Sequence, residues 1–387
     1  MDQPWWNPFV WVSLALVASL VSWRIGVSVA LVELVLGVVA GNTLHPPIGD
    51  WMNFLASTGA LVLTFLAGAE LDRGTVKRFW KQSLLLGLIG FAAPFALVWG
   101  LTEGLLGWER ASAQIAGLAL STTSVAVVYA VMLETGLNET PLGKLILAAC
   151  FVNDLGTVAV LGFLFTTFDI WFWVFVGVTL LAMPVLPRAA SHLLARFRSH
   201  PSEPGIRYLL LVLFGLALVA VRGGSEGVLP AYLAGMVLAD TFSSHRELLR
   251  RMRAMAFALL TPFYFLRAGS FVSLPAVMAN VGLVILFFLG KTVAKFIGLF
   301  PAGMAMRMPN RANLYTTLMM STGLTFGTIS ALYGLTHGLI TDGQYSVLVV
   351  VVILTALIPT VVAQAFVQPR ERERGCVLRE RKRETAA

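Results

Sequence analysis

The chain has 387 residues, 57% of them hydrophobic and 12% charged, and a formal net charge of +8. Apolar runs long enough to span a bilayer recur from end to end, which no soluble core of this length requires, so the chain reads as an all-α polytopic membrane protein. Its basic residues sit in short loops and in the C-terminal tail, not on one face of a soluble fold, which argues against a nucleic-acid partner.

In chain order, residues 9–23 form a first retained span, because no charged leader with a small-residue cleavage site precedes them. About thirteen spans follow from the apolar runs: 8–23, 25–43, 51–70, 82–102, 111–133, 142–167, 170–187, 207–222, 226–240, 255–271, 276–302, 311–335 and 344–367. Charge tests that count. Loops after odd-numbered spans hold Arg24; Arg73, Lys77, Arg78 and Lys81; Lys144; Arg188, Arg196, Arg198 and Arg207; Arg246, Arg250, Arg251 and Arg253; and Arg307 and Arg311. The tail adds seven more basic residues from Arg370 to Arg383. The opposite loops hold only Arg110 and Arg222, so the positive-inside rule gives N-out, C-in with an odd number of spans. Two cysteines, Cys150 inside a span and Cys376 in the tail, lie at different depths and form no CxxC pair; both read as free thiols.

Polar residues inside these spans mark the candidate site. Span five carries Ser121, Thr122, Thr123 and Ser124 at mid-depth, and span twelve carries Ser321, Thr322 and Gly323, followed by Thr325, Gly327, Thr328 and Ser330. The two clusters lie seven spans apart, and an odd separation makes their helices run in opposite directions. Spans four to six and eleven to thirteen then read as inverted repeats with two discontinuous helices, whose freed backbone groups meet at a midplane ion site. The other reading is that these hydroxyls only bond back to helical carbonyls or pack helices closely. Span six carries Asn153 and Asp154 in an otherwise apolar run. A carboxylate at that depth costs roughly 2.5–3.5 kcal/mol on insertion scales and is retained for use, either as an ion site or as an interhelical hydrogen-bonding group. Lys291 and Lys295 lie one turn apart on one face of span eleven, and buried ammoniums need partners. Asp154, a carbonyl of a broken helix, Glu33 and Glu70 are candidates, with snorkelling as the alternative.

These residues resemble those of the cation:proton antiporter superfamily, in its Kef-like and Nap-like branch. Thr64-Phe-Leu-Ala-Gly-Ala-Glu-Leu-Asp72 resembles the third-span signature. Leu120-Ser-Thr-Thr-Ser-Val-Ala-Val-Val128 resembles the first broken helix, and Asn153-Asp154 the carboxylate pair. Ala231-Tyr-Leu-Ala-Gly-Met-Val-Leu-Ala239 resembles the ninth span, and residues 321–330 the second broken helix. The similarity runs from Glu33 to about Gln368, with the motifs in the expected order. It implies a sodium/proton antiporter fold over 1–369, with core units at about 82–167 and 276–367, scaffold helices at about 8–70 and 170–271, and a short basic tail at 370–387. It further implies a homodimer in which the core moves against the scaffold. Asp154 would be the shared cation and proton site, supported by Asn153, Thr122, Thr123 and Ser124, and by Ser321, Thr322, Gly323 and Thr325 of the second broken helix. Members with two tandem acids are thought to move net charge, and Asn153 stands where the first acid would be. The resemblance therefore implies electroneutral exchange of one cation, Na+ or K+, for one proton. A basic residue of span eleven often accompanies the first acid, and Lys295-Phe-Ile-Gly298 fits that pattern better than Lys291.

One buried acid makes exchange the natural outcome. It holds a proton or a monovalent cation but scarcely both, and either one neutralises the moving site, whereas the empty charged form is held back by desolvation. A sodium-coupled organic-anion symporter of similar fold is the rival reading, as is a potassium-efflux antiporter without a nucleotide-binding domain, since the tail carries no dinucleotide fingerprint. No convergent nucleophile and base suggest an enzyme, and no cofactor is expected beyond the transported ions. Arg267 reads as snorkelling or interhelical. Glu70 and Asp72 read as an entry funnel or a solvated helix end, and His45, His192, His200, His245 and His337 as surface groups. The tail and residues 246–253 are placed to meet anionic lipid. Short loops and the absent leader fit a bacterial or archaeal cytoplasmic membrane.

Overall fold

The computed structural model describes residues 5–25, 28–69, 73–165, 170–196, 203–225, 227–243 and 246–370. Among them the regular structure is helical, as expected where a bilayer offers no water to backbone N–H and C=O groups. The helices, in order, are α1 Trp6–Ile25, α2 Val29–Thr43, α3 Asp50–Ala69, α4 Arg73–Gly104, α5 Arg110–Ser121, α6 Val125–Glu134, α7 Pro141–Phe165, α8 Ile170–Arg196 and α9 Pro204–Arg222. They continue with α10 Val228–Ser243, α11 Arg246–Met255, a π turn at Ala256–Leu260, α12 Thr261–Ser270, α13 Leu274–Ala279, α14 Val281–Ala305, α15 Asn310–Met319, α16 Thr325–Thr336 and α17 Asp342–Phe366.

Nine described stretches are long and apolar enough to cross a membrane, against about thirteen expected from the sequence. The other expected spans fall on α2 and α10, which are shorter apolar helices, and on two interrupted segments, the π turn with α12, and α15 to α16. Helix boundaries also differ from the apolar runs. The fourth span was expected from 82 and the seventh to 187, but α4 starts at Arg73 and α8 continues to Arg196. Hydropathy stops at the first charges, whereas backbone hydrogen bonding does not.

The chain divides into two compact units. The first comprises Met1–Arg24, Val32–Arg78 and Val158–Ser270. Within it α3 and α10 meet backbone to backbone through glycine. A Cβ on Gly68 would lie 2.2 Å from the Tyr232 carbonyl oxygen, and one on Gly235 would lie 2.0 Å from that of Phe65. Without a hydrophobic drive between helices in lipid, such close approach supplies the dispersion that holds them. Trp11, Met52, Phe263 and Leu266 form a buried cluster in this unit, and Arg267 Nε donates to Asn53 Oδ1 at 2.7 Å, an interhelical bond.

The second unit comprises Ile25–Leu31, Phe79–Thr157 and Phe271–Ala387. At its centre lies the α5–α6 segment, whose most apolar window is completely buried, compared with 44% for that of α7. Its polar residues therefore face protein, so each needs a partner there. α17 enters through a capping box, with Thr341 Oγ1 accepting from the Gln344 N–H while Gln344 returns the bond to the Thr341 N–H.

Candidate functional site

Two helices of the second unit break at the polar clusters. Between α5 and α6 the backbone is extended at Thr122 (φ −67°, ψ 155°) and Ser124 (φ −95°, ψ 107°), and Ser124 Oγ caps α6 by accepting from the Val127 N–H at 3.4 Å. Between α15 and α16 the helix ends at Met320 and residues 322–324 are irregular, with Leu324 at φ −154°, ψ −75°. Each break frees backbone groups that must be satisfied in a buried setting. Each helps satisfy the other. The Ser124 N–H donates to the Thr322 carbonyl at 3.1 Å, Thr123 Oγ1 donates to the Met320 carbonyl at 2.8 Å, and Ser124 Oγ lies 3.3 Å from Thr325 Oγ1.

The hydroxyls divide by role. Ser121, Thr122, Ser321 and Thr322 bond back to carbonyls of their own helices, at Leu118, Ala119, Thr317 and Met319. Thr123, Ser124 and Thr325 join one interruption to the other. Back-bonding thus accounts for the first four, while the other three link the two helix breaks. A hydroxyl that donates to a carbonyl still has lone pairs with which to accept.

α7 brings Asn153 against the first break. Its Oδ1 accepts from the Thr123 N–H at 3.0 Å and its Nδ2 donates to the Ser121 carbonyl at 3.4 Å. One amide thereby satisfies a freed donor and a freed acceptor, which a carboxylate could not do. Asp154 follows on the same helix, 4% exposed, with Oδ1 buried and without a hydrogen-bond partner. The Lys295 ammonium is among its electrostatic neighbours. A buried carboxylate oxygen so placed needs a proton, a cation or a water to be tolerable.

Both lysines are fully buried, and each finds a threonine. Lys295 Nζ donates to Thr123 Oγ1 at 2.9 Å, and Lys291 Nζ donates to Thr355 Oγ1 of α17 at 3.0 Å. Thr355 passes its own proton to the Val352 carbonyl at 2.8 Å. The acids and carbonyls considered from sequence are not these hydrogen-bond partners. Glu33 lies buried on α2 in the first unit, and Glu70 lies outside the described residues, as do Asp72, His200, His245, Cys376 and the tail beyond Arg370. Gly323 makes room for Lys291: a Cβ there would stand 2.3 Å from Nζ and 3.3 Å from Thr122 Oγ1.

Two residues of this unit escaped the sequence reading. Thr355 is the polar residue that ends the apolar run Val347 to Leu354, a signal available but weak. Glu134, at the end of α6, accepts from Ser28 Oγ at 2.8 Å and from the Val29 N–H with both carboxylate oxygens, at 3.1 and 3.0 Å. Its oxygens cap α2 by accepting from a donor freed at the helix N-terminus. His45, His192 and His337 are exposed, and Cys150 is a buried free thiol. Among the described residues no group of three or more His, Cys, Asp or Glu could hold a metal ion.

The sequence model of the family described as "Sodium/hydrogen exchanger, transmembrane" matches residues 12–368. The chain is 27% identical over 356 residues to the "Probable Na(+)/H(+) antiporter 3" of Methanocaldococcus jannaschii, covering 88% of this chain and 90% of that one. It is 26% identical over 371 residues to the "Na(+)/H(+) antiporter" of Enterococcus hirae, with 90% and 94% covered. It is also 26% identical over 359 residues to the "Na(+)/H(+)-K(+) antiporter GerN" of Bacillus cereus, with 87% and 89% covered. The solved sodium proton antiporter MjNhaP1 of Methanocaldococcus jannaschii superposes with TM-scores of 0.67 and 0.73 in two structures, at 15% identity, over 92% of this chain and 95% of that one. That agreement is one of fold.

Proposed function

This chain belongs to the sodium/hydrogen exchanger family, and on that premise we propose that it exchanges a monovalent alkali cation, Na+ or K+, for a proton across a cell membrane. The observation that carries the reading is Asp154: an acid buried in an apolar helix, one oxygen without a partner, next to the amide that clamps the first helix break. Proton and cation compete for it. Either ion neutralises the carboxylate, so a loaded site can pass a hydrophobic barrier that an empty one is held back from by desolvation. Lys295 moderates the charge of the empty carboxylate without removing it. The remaining ligands of a bound cation come from hydroxyl and carbonyl oxygens of residues 121–124 and 320–325 and from water, as suits a hard monovalent ion.

Neutral Asn153 serves the backbone of the break and takes no part in proton uptake, so exchange is one cation for one proton and electroneutral. The second unit is the moving core, the first unit is the scaffold of a homodimer, and the asymmetry of basic loops over about thirteen crossings places the N-terminus outside. The test is collapse of a pH gradient, read by a dye in everted vesicles, with Na+, Li+, K+ and choline added in turn. A cation-dependent response abolished by Asp154→Asn is expected. A response that survives the substitution would defeat the assignment, and a current during transport by reconstituted protein would defeat the stoichiometry.

A further inference from the structure

Elsewhere in the second unit, the ends of three helices enclose a groove of about 490 Å³. Phe296 and Phe300 of α14, Leu314 of α15 and Phe366 at the end of α17 line it with hydrocarbon, and Asn310 and Arg311 at the start of α15 supply its polar end. Phe366 is 73% exposed, so the groove opens to the surroundings of the protein. Its volume lies within the range of small-molecule sites, roughly 300–1,000 Å³, and its lining has their pattern of an apolar bed with few polar groups.

Arg311 is fixed in place. Its Nη2 donates to the Phe366 carbonyl at 3.3 Å, an acceptor left free at the end of α17, and its Nε to the Gln368 carbonyl just beyond, at 2.7 Å. A guanidinium has five N–H donors, so three remain after these two bonds. A held guanidinium with spare donors at one end of an aromatic trough suits a ligand with an anionic head and a hydrocarbon body. Because α14 and α17 are both long enough to cross a bilayer, and the charge asymmetry puts Arg311 on the cytoplasmic side, that end lies at the depth of inner-leaflet headgroups. We propose that this groove seats an acyl chain of an anionic membrane phospholipid, with its phosphate on Arg311 and Asn310. The placement rests on the N-out orientation given above. Such a lipid would bridge the ends of α14, α15 and α17, and α15 runs on for only ten residues before the second helix break.

The test uses full-length protein, delipidated in detergent, and reads retained lipid by native mass spectrometry alongside thermal melting. Phosphatidylglycerol should be retained about fivefold better than phosphatidylcholine, as expected for one basic contact near a headgroup. Arg311→Gln should erase that preference, and Arg311→Lys should keep part of it. Leu314→Trp, which fills the trough, should lower retention of both lipids. Three results would overturn the proposal: an unchanged preference in Arg311→Gln, a melting shift reproduced by inorganic phosphate alone, or a severalfold gain in lipid when the chain is cut after Arg370, which would make the tail the occupant. None of these readouts depends on transport, so the lipid site and the exchange reading can fail separately.

Discussion

Replacing Asn153 by alanine would remove two contacts of the first helix break at once: the Oδ1 that accepts from the Thr123 N–H at 3.0 Å and the Nδ2 that donates to the Ser121 carbonyl at 3.4 Å. Both backbone groups belong to buried residues. An orphaned buried group costs about 1–3 kcal/mol, and the longer bond belongs at the low end, so the loss is about 2–4 kcal/mol. If the second unit melts as one piece, its size puts the conversion at roughly 2–4 °C per kcal/mol, a fall in Tm of about 4–16 °C, readable by dye-based melting of purified protein. Asn153→Asp separates the two terms. It keeps an acceptor for Thr123, loses the donor to Ser121, sets a carboxylate oxygen against that carbonyl, and adds a second acid next to Asp154. Its melting temperature is expected to fall below wild type, and its transport to slow or to begin carrying current. If Asn153→Ala melted and transported like wild type, the amide would not be holding the break, and the account of why this position is neutral would be wrong.

At Gly323, the Cβ of alanine would come within 2.3 Å of Lys291 Nζ. Gly323→Ala should therefore drive Lys291 Nζ off Thr355 and cut exchange at least tenfold in vesicles while the protein still melts cooperatively; wild-type exchange would show that the tight fit has no bearing on transport. On the exposed face of α11, hydrogen bonds from Arg250 and Arg251 hold the Glu247 carboxyl down at about 2 against the ordinary 4.5. A carboxyl depressed on folding adds stability above its unfolded value and loses it as pH falls through the folded one. Any melting difference between wild type and Glu247→Gln should thus be largest near neutral pH at low salt, shrink with added salt, and fade between about pH 4.5 and 2. A difference that grew on acidification would contradict the sign.

Much of the second unit could be read from the sequence because polarity is conspicuous in a membrane. A run such as Ser121 to Ser124, or a lone Asp154, violates the apolar pattern around it and must have a reason. The same logic exposed both helix breaks and the two lysines. It could not say which hydroxyl each lysine meets, because Lys295 to Thr123 and Lys291 to Thr355 are bonds between helices 172 and 64 residues apart, set by helix rotation and depth, not by local pattern. Glu134 was passed over for a related reason. An acid at a span's end looks solvated, and its role as the cap of α2 depends on Ser28 and Val29, which lie 106 and 105 residues away. The number of crossings resisted length and hydropathy where helices are short or broken, as at α2, α10 and α15 to α16.

Thr123 is the residue through which these contacts become one device. Its N–H is held by Asn153 of α7, its hydroxyl oxygen accepts from Lys295 of α14, and its hydroxyl proton goes to the Met320 carbonyl in the second break. Lys295 can only donate, so it takes a lone pair of the hydroxyl and leaves the hydroxyl proton for the Met320 carbonyl; that orients Lys295 relative to both breaks. The helix that carries the acid, the helix that carries the nearby cation and the two interruptions are thus fastened to a single residue of three backbone and side-chain bonds. On the exchange reading proposed above, loading Asp154 would change the charge that Lys295 faces, and Lys295 is bonded to Thr123. Thr123 lies in the first break and donates to the Met320 carbonyl at the second, so a shift of Lys295 would bear on the backbone of both broken helices.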